Sequence, residues 1–187
     1  VSVEQVPRFG IDGLHALAER RRKLVQEMVR QKFHVAAPSN SNSAEAFVRV
    51  RDSSRAAVLH ALDLGARGII IPDVQSVEEA RRLVEYAKYY PLGARGFAFS
   101  RSAKYGFLPE LKQIGDYFTA TNQRTILMPQ CETAGALEHI EEIAALDGID
   151  GIFVGPYDLS VALGAPARFA TPRFAEALDR VIAACRA

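Results

Sequence analysis

The chain of 187 residues is 49% hydrophobic, which is enough apolar sequence to fill the core of one domain. Its 23 lysines and arginines are scattered among 22 aspartates and glutamates, so the formal charge of +1 offers no field of one sign to attract nucleic acid or an acidic membrane. Because the longest apolar stretch is far below the roughly 20 residues of a membrane span and no signal-peptide pattern is found, we predict a cytoplasmic protein.

The first strand and helix patterns occupy residues 46–65. Residues 46–50 (AFVRV) are rich in strand-forming side chains. The sequence that follows offers Ser53 or Ser54 as a helix cap, an apolar helical stripe, and Gly65 as the residue that ends the helix. This pattern predicts one strand-helix unit.

A second strand-helix unit is predicted directly after the first. Residues 68–72 (GIIIP) are continuously apolar, which is typical of a strand buried on both faces of a parallel sheet. Ser76 and Glu79 have the spacing of a capping box, and the helix that they begin is predicted to run through Ala87.

Two further strands are predicted in the second half of the chain, at residues 125–130 and 149–155. Between them, residues 134–148 carry a helical stripe formed by Leu137, Ile140, Ile143 and Ala144. A terminal helix is predicted after Pro172. Four strands with helices between them indicate a parallel sheet with right-handed crossovers.

The segment between Tyr89 and Arg124 has no sustained periodicity. It is rich in glycine and includes Arg101 and Tyr105, which are candidates for substrate contact. We predict a long functional loop, because structureless connections of this size in compact domains are usually lids or binding loops. The alternative is a variable surface excursion.

The two cysteines do not form a recognisable site. Cys131 and Cys185 are too few for a disulfide framework and lack the spacing of zinc ligands. We therefore predict that both are small buried apolar residues.

Two carboxylates follow the last two predicted strands. Alternation places Gln130 and Glu132 on one face of the third strand, and Asp158, 26 positions beyond Glu132, lies in a turn after the fourth. A Mg²⁺ ion is held by one or two carboxylates together with substrate and water, so this pattern predicts a metal site. Alternatively, Glu132 could be a helix-start carboxylate beside a Thr133 cap, and Asp158 could cap a turn.

Several segments together resemble a known family. In order and spacing, the chain is similar to the HpcH/HpaI aldolases, which are metal-dependent class II pyruvate aldolases. The resemblance covers about residues 46–172. The segments are VRV at 48–50, LDLGARGIIIP at 62–72, GARGFAFSRSAKYG at 93–106, QCET at 130–133 and GPYDLSVALG at 155–164.

The resemblance implies an α/β fold, the (β/α)₈ TIM barrel of the phosphoenolpyruvate/pyruvate type, with the site at the carboxyl ends of the strands. It implies Glu132 and Asp158 as ligands of a divalent metal, Mg²⁺ foremost and otherwise Mn²⁺ or Co²⁺. Arg49 is expected as the catalytic arginine beside the substrate keto oxygen, although Arg51 lies on the same strand face. The residues expected to bind substrate are Arg49, Gln130, Gly155, Pro156, Tyr157 and Asp158.

The sequence departs from the family in two respects. An aspartate-histidine segment that supplies proton transfer is not found: a weak alignment places its histidine at Phe9, and His15 and His34 do not restore it. The general acid/base is therefore unassigned. A barrel of this kind takes roughly 250 residues, so we expect residues 1–187 to form a single, partial barrel domain, completed by further segments or by another chain.

The reaction expected from the resemblance is aldol cleavage of a 4-hydroxy-2-oxo acid to pyruvate and an aldehyde. Oxaloacetate decarboxylation, as in a macrophomate-synthase-like enzyme, is the first alternative, followed by a citrate-lyase-β-like reaction on an acyl-CoA and by a catalytically silent barrel subunit. The expected partners are a small 2-oxo acid, pyruvate or oxaloacetate, and further copies of the chain in a trimer or hexamer. Asp63 is expected at a subunit interface, behind the site, or in an ordinary helix-end role.

Overall fold

The computed structural model describes residues 47–108 and 113–187. Four parallel strands form one sheet in the order β1-β2-β3-β4, so that each strand lies beside the next one in the chain. This sequential order is that of a (β/α)₈ barrel, whereas a doubly wound sheet reverses its strand order. The strands are β1 Phe47–Arg49, β2 Gly68–Ile71, β3 Ile126–Cys131 and β4 Phe153–Val154.

Helices lie between the strands, as the alternating pattern predicts, and a further helix directly follows β4, where the sequence predicted only a turn. Ser54 caps the first helix by accepting a hydrogen bond from the Ala57 N–H, and Ser76 caps the second by accepting one from the Glu79 N–H. A 3₁₀ turn covers Arg101–Gly106. The helices are α1 Arg55–Asp63, α2 Val77–Ala87, α3 Ile114–Arg124, α4 Ala134–Glu138, α5 Ile140–Ala144, α6 Pro156–Ala162 and α7 Pro172–Ala184.

The main core lies between the sheet and its helices. The residues of one sheet face that pack there are almost fully buried, and they include Ile69, Ile71, Leu127 and Cys131. On the other face, Ile70 and Met128 are only half-buried and lie in register with Arg49. The side chains of this second face therefore lead toward the predicted site.

The two cysteines differ in burial. Cys131 is fully buried, as predicted, and burial raises the pKa of its thiol to about 12. Cys185 is only half-buried, so the prediction of a buried residue is wrong at that position.

The segment predicted to be a long loop contains a helix of 11 residues, α3. Its sequence carries Gly115 and several β-branched residues, so intrinsic propensity is weak. The helix is stabilised instead by aromatic packing, since the Phe118 ring stacks on Tyr89 with 4.4 Å between ring centroids. Asn122 accepts from the Tyr89 N–H at 2.7 Å and donates to its carbonyl at 2.8 Å. Tertiary contacts with Tyr89 therefore determine this helix.

The helix predicted over residues 134–148 is broken at His139, which separates α4 from α5. In a continuous helix the Glu138 carbonyl would accept from the backbone N–H four residues later. Here it accepts from Arg180 Nη2 on α7 at 2.8 Å. The same arginine donates hydrogen bonds to both carboxylate oxygens of Glu141 on α5. A side chain of α7 therefore holds both short helices.

A buried charged network lies at the amino ends of β3 and β4. Lys88 Nζ donates to the carbonyls of Thr125 at 2.6 Å and Asn122 at 3.1 Å, and to Asp150 Oδ2 at 2.9 Å. The same Asp150 oxygen accepts from the Leu127 N–H at 2.9 Å. This network joins α2, α3 and the starts of two strands.

Some predictions fall outside the described residues, among them Phe9, His15 and His34. The prediction of a single domain over residues 1–187 is likewise not tested. None of the helices within residues 47–108 and 113–187 is long and apolar enough to cross a membrane.

Candidate active site

Glu132 lies one residue beyond β3 and is 9% exposed. Its Oε1 accepts a hydrogen bond from the Asp73 N–H at 2.8 Å, and its Oε2 accepts one from Gln130 Nε2. Thr133 is the cap of α4, where its Oγ1 accepts from the Ala136 N–H at 2.9 Å. The cap predicted at Thr133 is present, but the Glu132 carboxylate is held across the sheet edge by the end of β2.

Gly155 brings β4 and α6 against Glu132. A Cβ atom at this position would lie 2.5 Å from Glu132 Oε2 and 2.6 Å from Gln130 Nε2, both far inside van der Waals contact. Only glycine permits this approach of backbone to side chain. Asp158 lies in the first turn of α6, three residues on, where it is exposed. The turn therefore carries Asp158 toward Glu132.

The electrostatics of Glu132 reflect its burial and its neighbours. Burial is the largest cause that raises the pKa of this carboxyl, the Asp73 N–H opposes it, and the nearby Asp158 raises the pKa further. The charge of Arg49 lowers it. The structure thus brings Glu132, Asp158 and Arg49 into one electrostatic neighbourhood, with two like charges in mutual repulsion.

The two arginines that end the first strand have different surroundings. Arg49 is in register with Ile70 and Met128, on the sheet face that leads to the site. Arg51 lies beyond the strand, where its Nε donates to Asp52 at 2.9 Å and its side chain is 91% exposed. These surroundings support Arg49 as the arginine of the site.

Gln130 is 7% exposed, and its Oε1 is a buried acceptor without a hydrogen-bond partner among the described residues. Buried acceptors are normally satisfied, so this atom indicates a missing donor or cation. The two carboxylates are hard oxygen donors of the kind that Mg²⁺ prefers, with water and substrate completing its shell. Within residues 47–108 and 113–187, no third histidine, cysteine, aspartate or glutamate joins them as a cluster. The donor set fits a divalent ion held by two carboxylates.

The other predicted binding residues lie along the start of α6. Pro156 occupies the first turn of the helix, and Tyr157 is exposed, with its ring edge-on to Phe169 at 5.1 Å. Ser160 Oγ donates to the Tyr157 carbonyl at 2.6 Å and accepts from the Ala167 N–H at 2.8 Å. The loop after α6 thereby braces this turn.

Three further residues were candidates from the sequence: Asp63, Arg101 and Tyr105. Asp63 accepts from Arg95 at 2.9 Å, and that buried guanidinium lies 4.6 Å from the centre of the Tyr89 ring. Asp63 therefore fixes the end of α1 to the segment before the 3₁₀ turn. Arg101 and Tyr105 are both exposed in the 3₁₀ turn, and their contact with substrate stays a prediction.

Asp73 is the residue of this site that the sequence did not reveal. Asp73 comes two residues after the end of β2, and Glu132 comes one residue after the end of β3. This position at a strand end is the feature of the sequence that could have marked Asp73 as a site residue. The group that contacts Glu132 is its backbone N–H, however, and no residue-type pattern marks a backbone donor.

Sequentially ordered parallel strands with helices between them define the class of (β/α)₈ barrel folds, whose functional sites lie at the carboxyl ends of the strands. The chain belongs to the HpcH/HpaI aldolase/citrate lyase family, whose sequence pattern matches residues 9–187. The resemblance identified from the sequence is thereby confirmed.

The relatives place the described fold within that barrel. The chain is 36% identical over 177 residues to the 2-keto-3-deoxy-L-rhamnonate aldolase of Salmonella schwarzengrund, covering 94% of this chain and 59% of the relative. An HpcH/HpaI aldolase structure from Desulfitobacterium hafniense DCB-2 superposes with a TM-score of 0.68 at 35% identity, covering 75% of this chain and 52% of that one. Macrophomate synthase gives 0.61 at 29% identity, covering 75% and 49%. The fold is that of an incomplete TIM barrel, and the chain spans about six-tenths of the curated relatives' length.

Proposed function

We propose that the protein is a metal-dependent carbon-carbon lyase that cleaves a 4-hydroxy-2-oxo acid to pyruvate and an aldehyde. The observation that carries this proposal is the pair of carboxylates, Glu132 and Asp158, which two strand ends bring together despite their repulsion. An arrangement that costs free energy without a cation is typical of a metal site. The family and the named aldolase relatives support the same reaction class.

Different residues of the chain are assigned to different steps of the proposed reaction. Cleavage removes a proton from the C4 hydroxyl, breaks the C3–C4 bond, and leaves the bonding electrons in the enolate of pyruvate, which is then protonated at C3. A divalent ion held by Glu132 and Asp158, Mg²⁺ foremost and otherwise Mn²⁺ or Co²⁺, would supply fixed positive charge where negative charge develops. Arg49 adds a guanidinium charge at the keto oxygen.

Substrate orientation is assigned to the β4–α6 turn and to Gln130. In the turn from Gly155 to Asp158, the Gly155 N–H donates to the Cys131 carbonyl and Pro156 has no N–H, so the N–H groups suited to the carboxylate of a 2-oxo acid are those of Tyr157 and Asp158. The Oε1 of Gln130 has no hydrogen-bond partner among the described residues, so it is free to accept one from bound substrate. Both assignments rest on the family resemblance together with the closeness of Gly155 to Gln130.

Decarboxylation of oxaloacetate is the second candidate. It reaches the same enolate by loss of CO₂ and needs no base to take a hydroxyl proton. It therefore suits a chain whose sequence leaves the general acid/base unassigned. The likeness to macrophomate synthase supports the candidate, since the sequence resemblance included that branch.

The test measures metal binding and pyruvate release by the full-length protein. Mn²⁺ is titrated by electron paramagnetic resonance, and pyruvate is assayed from 2-keto-3-deoxy-L-rhamnonate, a simple 4-hydroxy-2-oxo acid and oxaloacetate, each with Mg²⁺ or a chelator. An acyl-CoA thioester serves as the substrate of the citrate-lyase alternative. We expect metal-dependent pyruvate release from at least one 2-oxo acid.

Matched variants test the ligand assignment. Glu132→Gln and Asp158→Asn are expected to weaken Mn²⁺ binding by more than about 100-fold, beyond the usual effect of residues outside the ligand set. Glu142→Gln, an exposed change on α5, is expected to bind like the wild type. Undiminished Mn²⁺ affinity in Glu132→Gln would reject the ligand role, and no metal-dependent turnover of any 2-oxo acid would reject the lyase.

We also propose that residues 1–187 belong to a single barrel domain and that the protein assembles as a trimer or hexamer. These proposals rest on the family resemblance. Light scattering of the full-length protein measures the assembly, and a monomer at micromolar concentration would contradict it.

A further inference from the structure

Asp73 has a backbone conformation that is uncommon for its residue type. Its φ of 55° places it in the left-handed region, at the carboxyl end of β2. This conformation is unfavourable for L-residues, although aspartate tolerates it better than most. The conformation aims the Asp73 N–H at Glu132 Oε1, 2.8 Å away. A strained residue in direct contact with a candidate metal ligand suggests a function for the strain.

Neighbouring hydrogen bonds hold the loop after Asp73 in place. Gln75 Nε2 donates to Asp73 Oδ1 at 2.7 Å, and the Gln75 N–H donates to Glu79 Oε2 on α2 at 2.9 Å. On the other side, Thr133 Oγ1 donates to the Val74 carbonyl at 2.6 Å. The loop is therefore fixed both to α2 and to the residue that follows Glu132.

The two oxygens of Glu132 have separate surroundings. Oε1 accepts from the Asp73 N–H, whereas Oε2 accepts from Gln130 Nε2 and faces Gly155, at the turn that leads to Asp158. The side chain of Asp73 is engaged by Gln75 and does not form a three-carboxylate cluster with Glu132 and Asp158 in the described part of the chain. The contribution of Asp73 to the site is therefore its backbone donor.

We propose that Asp73 is a positioning residue of the metal site, whose left-handed backbone N–H fixes one oxygen of Glu132 so that the other is presented toward Asp158. This inference rests on the proposed function of Glu132 as a ligand. Partners that orient a ligand typically contribute 10- to 100-fold in metal affinity. The same range is expected for losing the Asp73 contact.

Three variants separate the backbone from the carboxylate. Asp73→Gly removes the side chain and keeps the left-handed conformation accessible, and Asp73→Asn keeps a residue type that tolerates it. Asp73→Val introduces a β-branched side chain, which disfavours it. Lys104→Val is the matched control, because Lys104 is also a left-handed non-glycine residue, with φ of 45°, in the Arg101–Gly106 turn.

Mn²⁺ affinity of the full-length protein is measured by electron paramagnetic resonance, with thermal unfolding in chelator as a check on folding. We expect Asp73→Gly and Asp73→Asn to bind Mn²⁺ within about 3-fold of the wild type, and Asp73→Val to bind about 10- to 100-fold more weakly. Lys104→Val should lose thermal stability without losing Mn²⁺ affinity.

The outcomes distinguish this inference from the proposed function. If the wild type binds Mn²⁺ and Glu132→Gln does not, the ligand assignment stands. Equal affinities of Asp73→Val and Asp73→Gly would then overturn the positioning role alone, whether both variants match the wild type or both are weak. If the wild type itself binds no Mn²⁺, the metal site and the positioning role are both rejected.

Discussion

The two ends of the parallel sheet differ in how their buried charges are paired. At the amino ends, Lys88 is buried with an aspartate, Asp150, and two backbone carbonyls around its ammonium group. At the carboxyl ends, Glu132 is buried beside a like charge, Asp158, with Arg49 as the weaker opposing influence. One end has complementary charges within the fold, and the other has an excess of negative charge.

This difference separates stability from function within one sheet. A buried ammonium contributes to stability only when its hydrogen bonds and countercharge are all present, as they are around Lys88. Two neighbouring carboxylates lower stability until a cation neutralises them. The amino ends therefore hold the strands in place, and the carboxyl ends hold the proposed metal site, whose free energy would improve on binding a cation.

The largest effect is expected from Lys88→Met at the amino ends. Methionine keeps much of the volume but leaves the Asp150 carboxylate without its countercharge. Removing one partner of a buried pair costs about 3 kcal/mol or more in free energy of unfolding. Chemical denaturation measures this loss, and Mn²⁺ affinity at the other end of the sheet should stay within about 3-fold.

A matched change on the same helix provides the control for Lys88→Met. Arg81 on α2 is exposed and pairs with Glu78 at 3.6 Å on the surface. Arg81→Met is expected to change the free energy of unfolding by less than about 0.5 kcal/mol. Equal stabilities of Lys88→Met and Arg81→Met would show that the buried network at the amino ends does not stabilise the fold.

A smaller loss is expected from Gly155→Ala at the carboxyl ends. The new methyl group would meet Glu132 Oε2 at 2.5 Å and Gln130 Nε2 at 2.6 Å, so those side chains must move. Overpacking of this kind costs about 1–2 kcal/mol in stability, and displacement of Glu132 should weaken Mn²⁺ binding about 10-fold or more. Denaturation and Mn²⁺ titration measure the two effects.

Gly115 offers the opposite result for the same chemical change. It lies in α3 with nothing within 4 Å of an added Cβ. Gly115→Ala is expected to stabilise the protein by up to about 1 kcal/mol, because alanine favours a helix. Equal Mn²⁺ affinities of Gly155→Ala and Gly115→Ala would show that the close approach at Gly155 does not position the site.

The sequence was informative where local pattern and burial agree. The apolar run of β2, the Ser76 cap and the terminal helix after Pro172 each appear where the pattern predicts them. The helix α3 was missed because Tyr89 stabilises it through contacts distant in the chain. The break at His139 was missed because Arg180 takes the carbonyl that a continuous helix would use.

The residues of the candidate site also differ in how far the sequence marks them. Glu132 and Asp158 could be predicted because a carboxylate at a strand end is visible in the sequence. The Asp73 contact could not, because it depends on a backbone angle. Lys88 was also missed, since the sequence cannot show that one lysine of a helix end meets an aspartate 62 positions away. Candidate residues that are marked by side-chain type could be predicted from the sequence, whereas contacts that depend on backbone geometry or distant pairing could not.

The smallest effect among changes at the site is a gain in stability, and it is expected from Glu132→Gln in the metal-free protein. Burial and Asp158 raise the pKa of Glu132 above the ordinary 4.5, so its ionised form costs free energy in the folded state. Gln carries no charge, and we expect a gain of about 0.5 kcal/mol at pH 8 in chelator. The folded wild type binds more protons than the unfolded chain between pH 4.5 and the raised pKa, so its stability falls as pH rises through that window. The stability advantage of Glu132→Gln over the wild type should therefore become smaller as the pH is lowered through the same window. Added Mn²⁺ should reverse the order, because it binds the folded wild type alone. A wild type more stable than Glu132→Gln in chelator at pH 8 would remove the contrast between the two ends.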